Sequence, residues 1–336
     1  MLSVMKQLIE KAKKNPKKVV FPEASNPDIL KLAEQTYMKG IGYPVLLGEP
    51  RYLEKLAAEL RISTEGFCYF DYNDECARVE LAELYTAKFN ELSFKGIIRK
   101  AKNPLNCGMI LLKLGKVDAV AAGKDYSTGE VLIAAQSIIG MQEGVERVSS
   151  LGIADIPEFE GSQGTLLGLA DCAITEQPDA KDLAGIAIAS ADTAKVLFDW
   201  EPRVAMLAFS TCGSAEHETI DVVRTAVDLV RKIRPDIKCD GEFQLDAAII
   251  PKVAAKKVNR ESEVAGKANI LIFPNLHAGN IGVKLIQIFG HANAYGPVLQ
   301  GFAKPVCDFS RSAPIEEMLG NVAMLVIRAG AKEVEK

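Results

Sequence analysis

The chain has 336 residues, more than one hydrophobic core ordinarily supports, so two domains are expected. Its 48% hydrophobic and 25% charged content is that of a folded globular protein and excludes intrinsic disorder. With 40 Lys and Arg against 44 Asp and Glu, and no long run of one sign, nucleic acid is not an expected partner.

The N-terminal MLSVMKQLIEKAKK sets Leu2, Met5, Leu8, Ile9 and Ala12 at helical spacing with lysines between them, which predicts an amphipathic helix rather than a signal peptide. Short β-rich runs then alternate with helical patterns: KKVVFPEA before a helix opened by Asn26-Pro27, YPVLLGEP before a helix near 51–60, and VDAVAAG before one from about 129. That rhythm predicts parallel strands joined by crossover helices, an α/β fold. Around 145–175 it changes, because RVSSLGIADIP and GTLLGLADCAIT are two β-like runs joined by EFEGSQ without a helix; a domain boundary is expected just before this point. Alternation resumes with helices 179–197, 216–233, 245–256 and 278–289, separated by the strands RVAMLAFS, DIKCDGEF and NILIFP. Strands near 295–299 and 305–309 and a last helix over 314–329 complete the pattern.

No apolar run reaches the length needed to cross a bilayer, so no membrane association is expected. The seven cysteines, at 68, 76, 107, 172, 212, 239 and 307, show no CxxC and no Cys/His ligand spacing. They read as reduced thiols in a cytoplasmic protein, without a metal site. There is no GxGxxG after the first strand and no GxxxxGK[ST], so neither the dinucleotide fingerprint nor a Walker loop is present and ordinary nucleotide-fold readings lose ground.

In an open α/β sheet, ligands sit at the carboxyl ends of the strands. Five loops expected there are rich in Gly and small polar residues: AAGKDYSTG (121–129), FSTCGSAEH (209–217), CDGEFQLDAA (239–248), FPNLHAGNIG (273–282) and YGPVLQG (295–301). Ser127 and Thr128 lead straight into a helix, where hydroxyls and free amides suit an anion. A plain helix cap accounts for them as well, and capping is the commoner use of Ser and Thr at such a place. Gly279, Asn280 and Gly282 suggest close backbone approach by a ligand, although packing against a neighbouring element explains the glycines equally well. The three histidines are too scattered for a metal cluster or a triad, and Cys212 lacks a neighbour in sequence that would activate it.

The last strand-to-helix junction, CDFSRSAPIEE at 307–317, gathers an alcohol, a guanidinium and carboxylates. Arg311 can fork onto a phosphate, Ser310 can stabilise a developing anion, and Glu317 can act as a base one helical turn on. Glu316 and Glu317 also stand where acidic residues complement a helix dipole.

With these residues in view, a resemblance becomes specific. The segments ADCAITEQPDAKDLAGIAIASADTA, RVAMLAFSTCGSAEH, CDGEFQLDAA, AGKANILIFPNLHAGNIG, GPVLQG and CDFSRS resemble, in order and spacing, those of the phosphate acetyl/butyryltransferase family. The resemblance implies the reversible reaction acetyl-CoA + phosphate = acetyl phosphate + CoA, with CoA as substrate and no permanently bound cofactor or metal. It implies a homodimer and a two-domain α/β arrangement similar to that of isocitrate dehydrogenase, with the active-site cleft between the domains. Domain I would comprise 1–144 plus 298–336, and domain II 145–297. Carried over by position, Ser310 and Arg311 match the family's active-site Ser-Arg, Glu317 its proposed base, and Ser127 and Thr128 the Ser-Thr of its phosphate site.

Two arginines of the family are absent: Ile133 stands in the place of one, in STGEVLIAAQ, and Ala87 and Lys88 near the other, in LYTAKFN. The Gly and Cys that follow the family's Ser-Arg are Ser312 and Ala313 here. Lys88, Lys95 and Lys124 are candidates to compensate. Leu132, Ala135 and Ile139 are expected to form the apolar stripe of the helix after Thr128, with Ile133 at its edge. Besides acetyl transfer, the sequence leaves open transfer of propionyl or butyryl groups, and a non-catalytic member that binds CoA or acyl phosphate.

Overall fold

A computed structural model describes residues 4–142 and 145–334. The chain folds into two compact units, Met1–Gly140 with Phe302–Lys336, and Met141–Gly301. The expected two-domain α/β architecture is what the chain adopts.

The first unit opens with the amphipathic α1 (Val4–Ala12), which buries Val4, Leu8 and Ala12. β1 (Lys17–Phe21) is followed by α2 (Pro27–Met38). The Asn26 side chain caps that helix by accepting from Asp28 N (2.9 Å), and Pro27 occupies the first turn, where a missing N–H loses no helical bond. β2 (Gly42–Leu47) and α3 (Pro50–Glu59) repeat the pattern. The segment to residue 118 holds four elements that the alternation had not assigned: β3 (Cys68–Phe70), α4 (Glu75–Thr86), α5 (Phe94–Lys100) and α6 (Pro104–Leu114). β4 (Ala119–Ala122) is wholly buried, and α7 (Thr128–Ile138) follows it.

The second unit begins with the antiparallel pair β5 (Ser149–Asp155) and β6 (Leu166–Ala170). Next come α8 (Ala180–Phe198), β7 (Arg203–Leu207), α9 (Glu218–Ile233) and β8 (Lys238–Phe243). The helix expected over 245–256 is two, α10 (Leu245–Ile249) and α11 (Pro251–Lys257). Proline excludes the residue before it from the α region, and Ile250 is accordingly extended at φ −107°, ψ 110°. β9 (Ile270–Ile272), α12 (Leu276–Phe289) and β10 (Asn293–Gln300) complete the unit, in the sheet order β10-β5-β6-β9-β7-β8. The strands expected at DIKCDGEF and near 295–299 are β8 and the larger part of β10, which has a register shift between Tyr295 and Val298, so the Gly-rich loops expected at 239–248 and 295–301 overlap strand. The nearly all-buried α8 fills the core with alanines and Gly185 against Leu151, Ile153, Val204, Met206 and Ile270.

The chain then returns to the first unit with β11 (Val306–Asp308) and α13 (Ile315–Val334). The resulting sheet, β11-β4-β1-β2-β3, is parallel throughout. From β1 the chain crosses to β2 on one side, while β4 and β11 lie on the other. The order thus reverses between β1 and β4, the kind of switch point where the loops beyond the carboxyl ends diverge and leave room for a ligand.

Candidate functional site

Three loops meet at the carboxyl edge of the first unit's sheet, following β1, β4 and β11. Glu23, just past β1, is 6% exposed and organises the loop after β4. Its Oε1 accepts from the amides of Asp125 (2.7 Å) and Tyr126 (2.8 Å), and its Oε2 from those of Gly123 (3.0 Å) and Lys124 (3.2 Å). Asn26 adds a bond from Nδ2 to Asp125 Oδ1 (2.7 Å). Four amides on one carboxylate fix residues 123–126 and so the start of α7. The sequence reading assigned Glu23 nothing; the only signal was a carboxylate immediately beyond an apolar strand.

Ser127 is the N-cap of α7 with a complete capping box: its Oγ accepts from Glu130 N (3.3 Å), and its own N–H and O–H donate to Glu130 Oε2 (2.8 and 2.7 Å). The cap explanation of this residue is therefore realised in full. Thr128, exposed, donates from Oγ1 to Asp308 Oδ2 (2.6 Å) at the end of β11. Burial pushes the Asp308 carboxyl up to about 6; the Thr128 hydroxyl pulls against this, and the charge of Glu23 adds to it. Gly123 makes the close approach possible. Its φ of +108° is in the left-handed region, and a Cβ there would overlap Asp308 Oδ1 and lie 2.6 Å from Phe309 N.

Beyond β11, Phe309 N donates to Ala122 O (2.7 Å) and Ala313 N to Ser310 O (3.0 Å), which turns the chain back toward α13. Lys124 holds this turn by donating from Nζ to Ala313 O (3.1 Å) while paired with Asp28 Oδ2 (3.1 Å). Ser310 and Arg311 are exposed, with Ser310 Oγ 3.2 Å from Ser312 Oγ. Arg311 has no hydrogen bond or ion pair among the described residues. Its charge helps hold the Glu130 carboxyl below the usual range, after the Ser127 amide and hydroxyl, which act more strongly. Glu317 is half-buried in the first turn of α13. Ser127, Thr128, Ser310, Arg311 and Glu317 thus share one edge of one sheet, with a free guanidinium among them.

Gly279, Asn280 and Gly282 belong to the second unit, on α12. A Cβ at Gly279 would overlap Asp171 O, and one at Gly282 would lie 3.3 Å from the Phe273 ring. Asn280 Nδ2 donates to Cys172 O (3.3 Å). Packing of α12 on the turn after β6 therefore accounts for Gly279 and Asn280, and packing on Phe273, just beyond β9, for Gly282. That turn is built around the buried Asp171, which accepts from Ser150 Oγ and from the amides of Ala173, Ile174 and Thr175. Cys212 has φ +49°, and burial pushes its thiol up more strongly than the nearby Arg260 draws it down, which does not favour the thiolate of a nucleophile.

Ile133 is not part of a buried stripe. It is 68% exposed, while Val131, Ala134, Ala135 and Ile138 are buried and Leu132 is half-buried. Of the expected stripe, Ala135 and Ile139 are buried and Leu132 is half-buried, while Val131, Ala134 and Ile138 widen the buried face. Ala87 is an exposed C-cap of α4, and Lys88 and Lys95 are exposed as well. Lys124 is committed to Asp28 and Ala313, and so is not a spare cation for a ligand.

The sequence matches the family described as Phosphate acetyl/butaryl transferase over residues 3–326. It is 40% identical over 334 residues to a phosphate acetyltransferase of Thermoanaerobacterium thermosaccharolyticum, an alignment spanning 98% of this chain and 100% of that one. Among solved structures it is similar to a phosphotransacetylase from Streptococcus pyogenes, with a TM-score of 0.87 and 32% identity over 98% of each chain. It is likewise similar to the EutD phosphotransacetylase from Staphylococcus aureus, with a TM-score of 0.85 and 33% identity over 97% of this chain and 99% of that one.

Proposed function

Because the chain belongs to the phosphate acetyl/butaryl transferase family, we propose that it moves an acetyl group reversibly between CoA and phosphate, using the Ser310–Arg311–Glu317 edge of the first unit. The observation that carries this reading is Arg311: an exposed guanidinium without a hydrogen-bond or ion-pair partner among the described residues, beside a hydroxyl and opposite the start of α7. Arginine presents a planar fork that matches two phosphoryl oxygens. In the direction of acetyl-CoA synthesis, Glu317 takes the proton of the CoA thiol, which at a pKa of about 8.5 is mostly protonated at neutral pH. The thiolate sulfur then bonds to the carbonyl carbon of acetyl phosphate, and the bond from that carbon to the phosphoryl oxygen breaks. Ser310 donates to the carbonyl oxygen as charge develops, and Arg311 holds the departing phosphate.

The direct test is thiol release from acetyl-CoA on addition of phosphate, followed with a thiol-reactive dye, with propionyl- and butyryl-CoA in parallel. Phosphate-dependent release with acetyl-CoA is expected. No release with any of the three would leave a binding protein instead. In the same assay, Arg311→Lys keeps the charge and loses the fork, so the KM for phosphate is expected to rise by roughly tenfold or more. An unchanged phosphate dependence would move the phosphate site elsewhere.

Ile133→Arg tests the missing cation. At an exposed position the substitution is expected to change stability by no more than about 0.5 kcal/mol, and to tighten the apparent affinity for phosphate, acetyl phosphate or CoA. Saturation curves identical to those of the native protein would show that this helix face never meets an anionic substrate.

The protein is further proposed to work as a homodimer in the cytoplasm. Along α12, Ile281, Leu285, Ile288 and Phe289 are 56%, 50%, 64% and 76% exposed, and their spacing puts them on one helix face. A contiguous apolar face of this kind is suited to a second copy of the chain. All seven cysteines are free thiols, which fits a reducing compartment. Among the described residues, no helix is long and apolar enough to cross a membrane.

A further inference from the structure

At the start of α7 both hydroxyl hydrogens are directed at carboxylates. Thr128 Oγ1 donates to Asp308 Oδ2 (2.6 Å), and Ser127 Oγ donates to Glu130 Oε2 (2.7 Å). A hydroxyl carries a single hydrogen, and a fully ionised tetrahedral oxyanion only accepts. While these bonds stand, neither side chain can donate to such a ligand.

The two bonds differ in what it takes to release them. Glu130 is exposed, so water replaces Ser127 readily. Asp308 is half-buried: its Oδ1 is buried and has no hydrogen-bond partner among the described residues, and the Gly123 backbone closes against that same oxygen. An ionised Asp308 that lost the Thr128 hydrogen would be a half-buried charge with no protein donor on either oxygen and with Oδ1 shut off from water, which is unfavourable. A protonated Asp308 avoids this, because its own hydrogen can be given to Thr128 Oγ1.

We propose that Asp308 takes up a proton when a tetrahedral oxyanion binds at the start of α7, reversing its hydrogen bond with Thr128 and turning that hydroxyl into a donor to the ligand. The inference rests on reading Ser127 and Thr128 as the phosphate end of the site. The proton comes from solvent and settles on Asp308 Oδ2; the Thr128 hydrogen swings from Oδ2 to an oxygen of the anion; no covalent bond between heavy atoms changes. Asp308 is a positioning residue here, acting on the ligand only through Thr128.

The surroundings suit a proton that comes and goes near neutral pH. Burial holds the Asp308 carboxyl at about 6, against the pull of Thr128. From the loop after β1, Glu23 adds negative charge, and its own oxygens are taken by four amides. On β11 the adjacent Cys307 thiol is pushed up by burial, with Arg328 and Glu317 of α13 acting on it. On α7, Glu130 is held low by Ser127 and, more weakly, by Arg311. In the loop after β4, Lys124 is paired with Asp28, and Asp125 accepts from Asn26.

Sulfate is the probe, since it remains a dianion from about pH 5 to about pH 8 and adds no titration of its own. Its dissociation constant is measured by calorimetry across that range. For the native protein, affinity is expected to be highest below about pH 6 and to weaken above it by up to about tenfold per pH unit. In Asp308→Asn, whose amide does not titrate, the slope should vanish. Should that variant fail to fold, the native protein suffices: in buffers of different ionisation enthalpy near pH 7, net uptake approaching one proton per sulfate is expected. A flat native profile, no proton uptake, or a slope that persists in Asp308→Asn overturns the proposal. Thr128→Val and Ser127→Ala separate the two ideas. If both leave sulfate affinity unchanged at low pH, the anion sits elsewhere and the site reading falls with the proposal; if they weaken it while the native profile is flat, only the proton linkage falls.

Discussion

Glu317→Gln is expected to lower turnover by roughly 10²–10⁴-fold, the usual contribution of a general base, with little change in the KM for phosphate or acetyl-CoA. The amide keeps the size and polarity of the side chain and loses only the ability to accept the thiol proton. Glu317 also stands in the first turn of α13, where a negative charge favours the helix by about 0.3–1 kcal/mol. The two contributions separate by measurement. Loss of the dipole interaction alone would lower the melting temperature slightly and leave turnover within a few-fold of native. A proton-transfer role predicts the reverse: a near-native melting temperature with turnover largely gone. Raising the pH toward the thiol's own pKa should restore part of the rate in Glu317→Gln, because more of the CoA is already thiolate. Absence of that partial recovery, with turnover near native, would remove Glu317 from the chemistry.

The parts of this site that could be read from sequence lie next to each other in the chain. Ser310, Arg311 and Glu317 fall within eight positions at a strand-to-helix junction, and Ser127-Thr128 at another. The two carboxylates that arrange them are remote in sequence from what they hold. Glu23 binds amides about 100 residues away, at separations of 100 to 103, and Asp308 meets Thr128 across 180. Only the sheet order, with β4 between β1 and β11, brings these together. The same distinction runs through the fold. Helices with one apolar face, such as α9, carry a periodic signal, whereas α6 is buried at Leu105, Cys107 and every position from Gly108 to Leu112, so it has no polar face to mark it. β3, at three residues, is too short to alternate legibly. Ile133 is hard to place from sequence for a related reason: apolar residues occupy positions 131–135 without interruption, and only the packing shows which of them face inward.

Glu23→Ala is expected to be the most damaging substitution for the architecture of the site. It removes the acceptor for four backbone amides, those of Gly123, Lys124, Asp125 and Tyr126. A buried amide left without a partner costs about 1–3 kcal/mol. Asp125 is exposed and Lys124 and Tyr126 are half-buried, so water recovers part of the loss. A net destabilisation of about 3–5 kcal/mol follows, at the upper end for a single substitution. In a chain of this size that corresponds to a fall in melting temperature on the order of 10 °C. Glu23→Gln offers little rescue. Its amide nitrogen would face two N–H donors where the native carboxylate has an oxygen, so two bonds become donor-to-donor contacts. Both variants should also lose turnover beyond what unfolding explains at low temperature, because the loop they release carries Ser127, Thr128 and the Gly123 contact with Asp308. The decisive comparison is Glu23→Ala with Asn26→Ala, which removes only the Asn26–Asp125 bond and the α2 cap. If the two variants melt together and retain native turnover, the loop is held by its own conformation and Glu23 is not its anchor. If Glu23→Ala alone collapses both stability and turnover, a single buried carboxylate after the first strand sets the position of the anion end of the site.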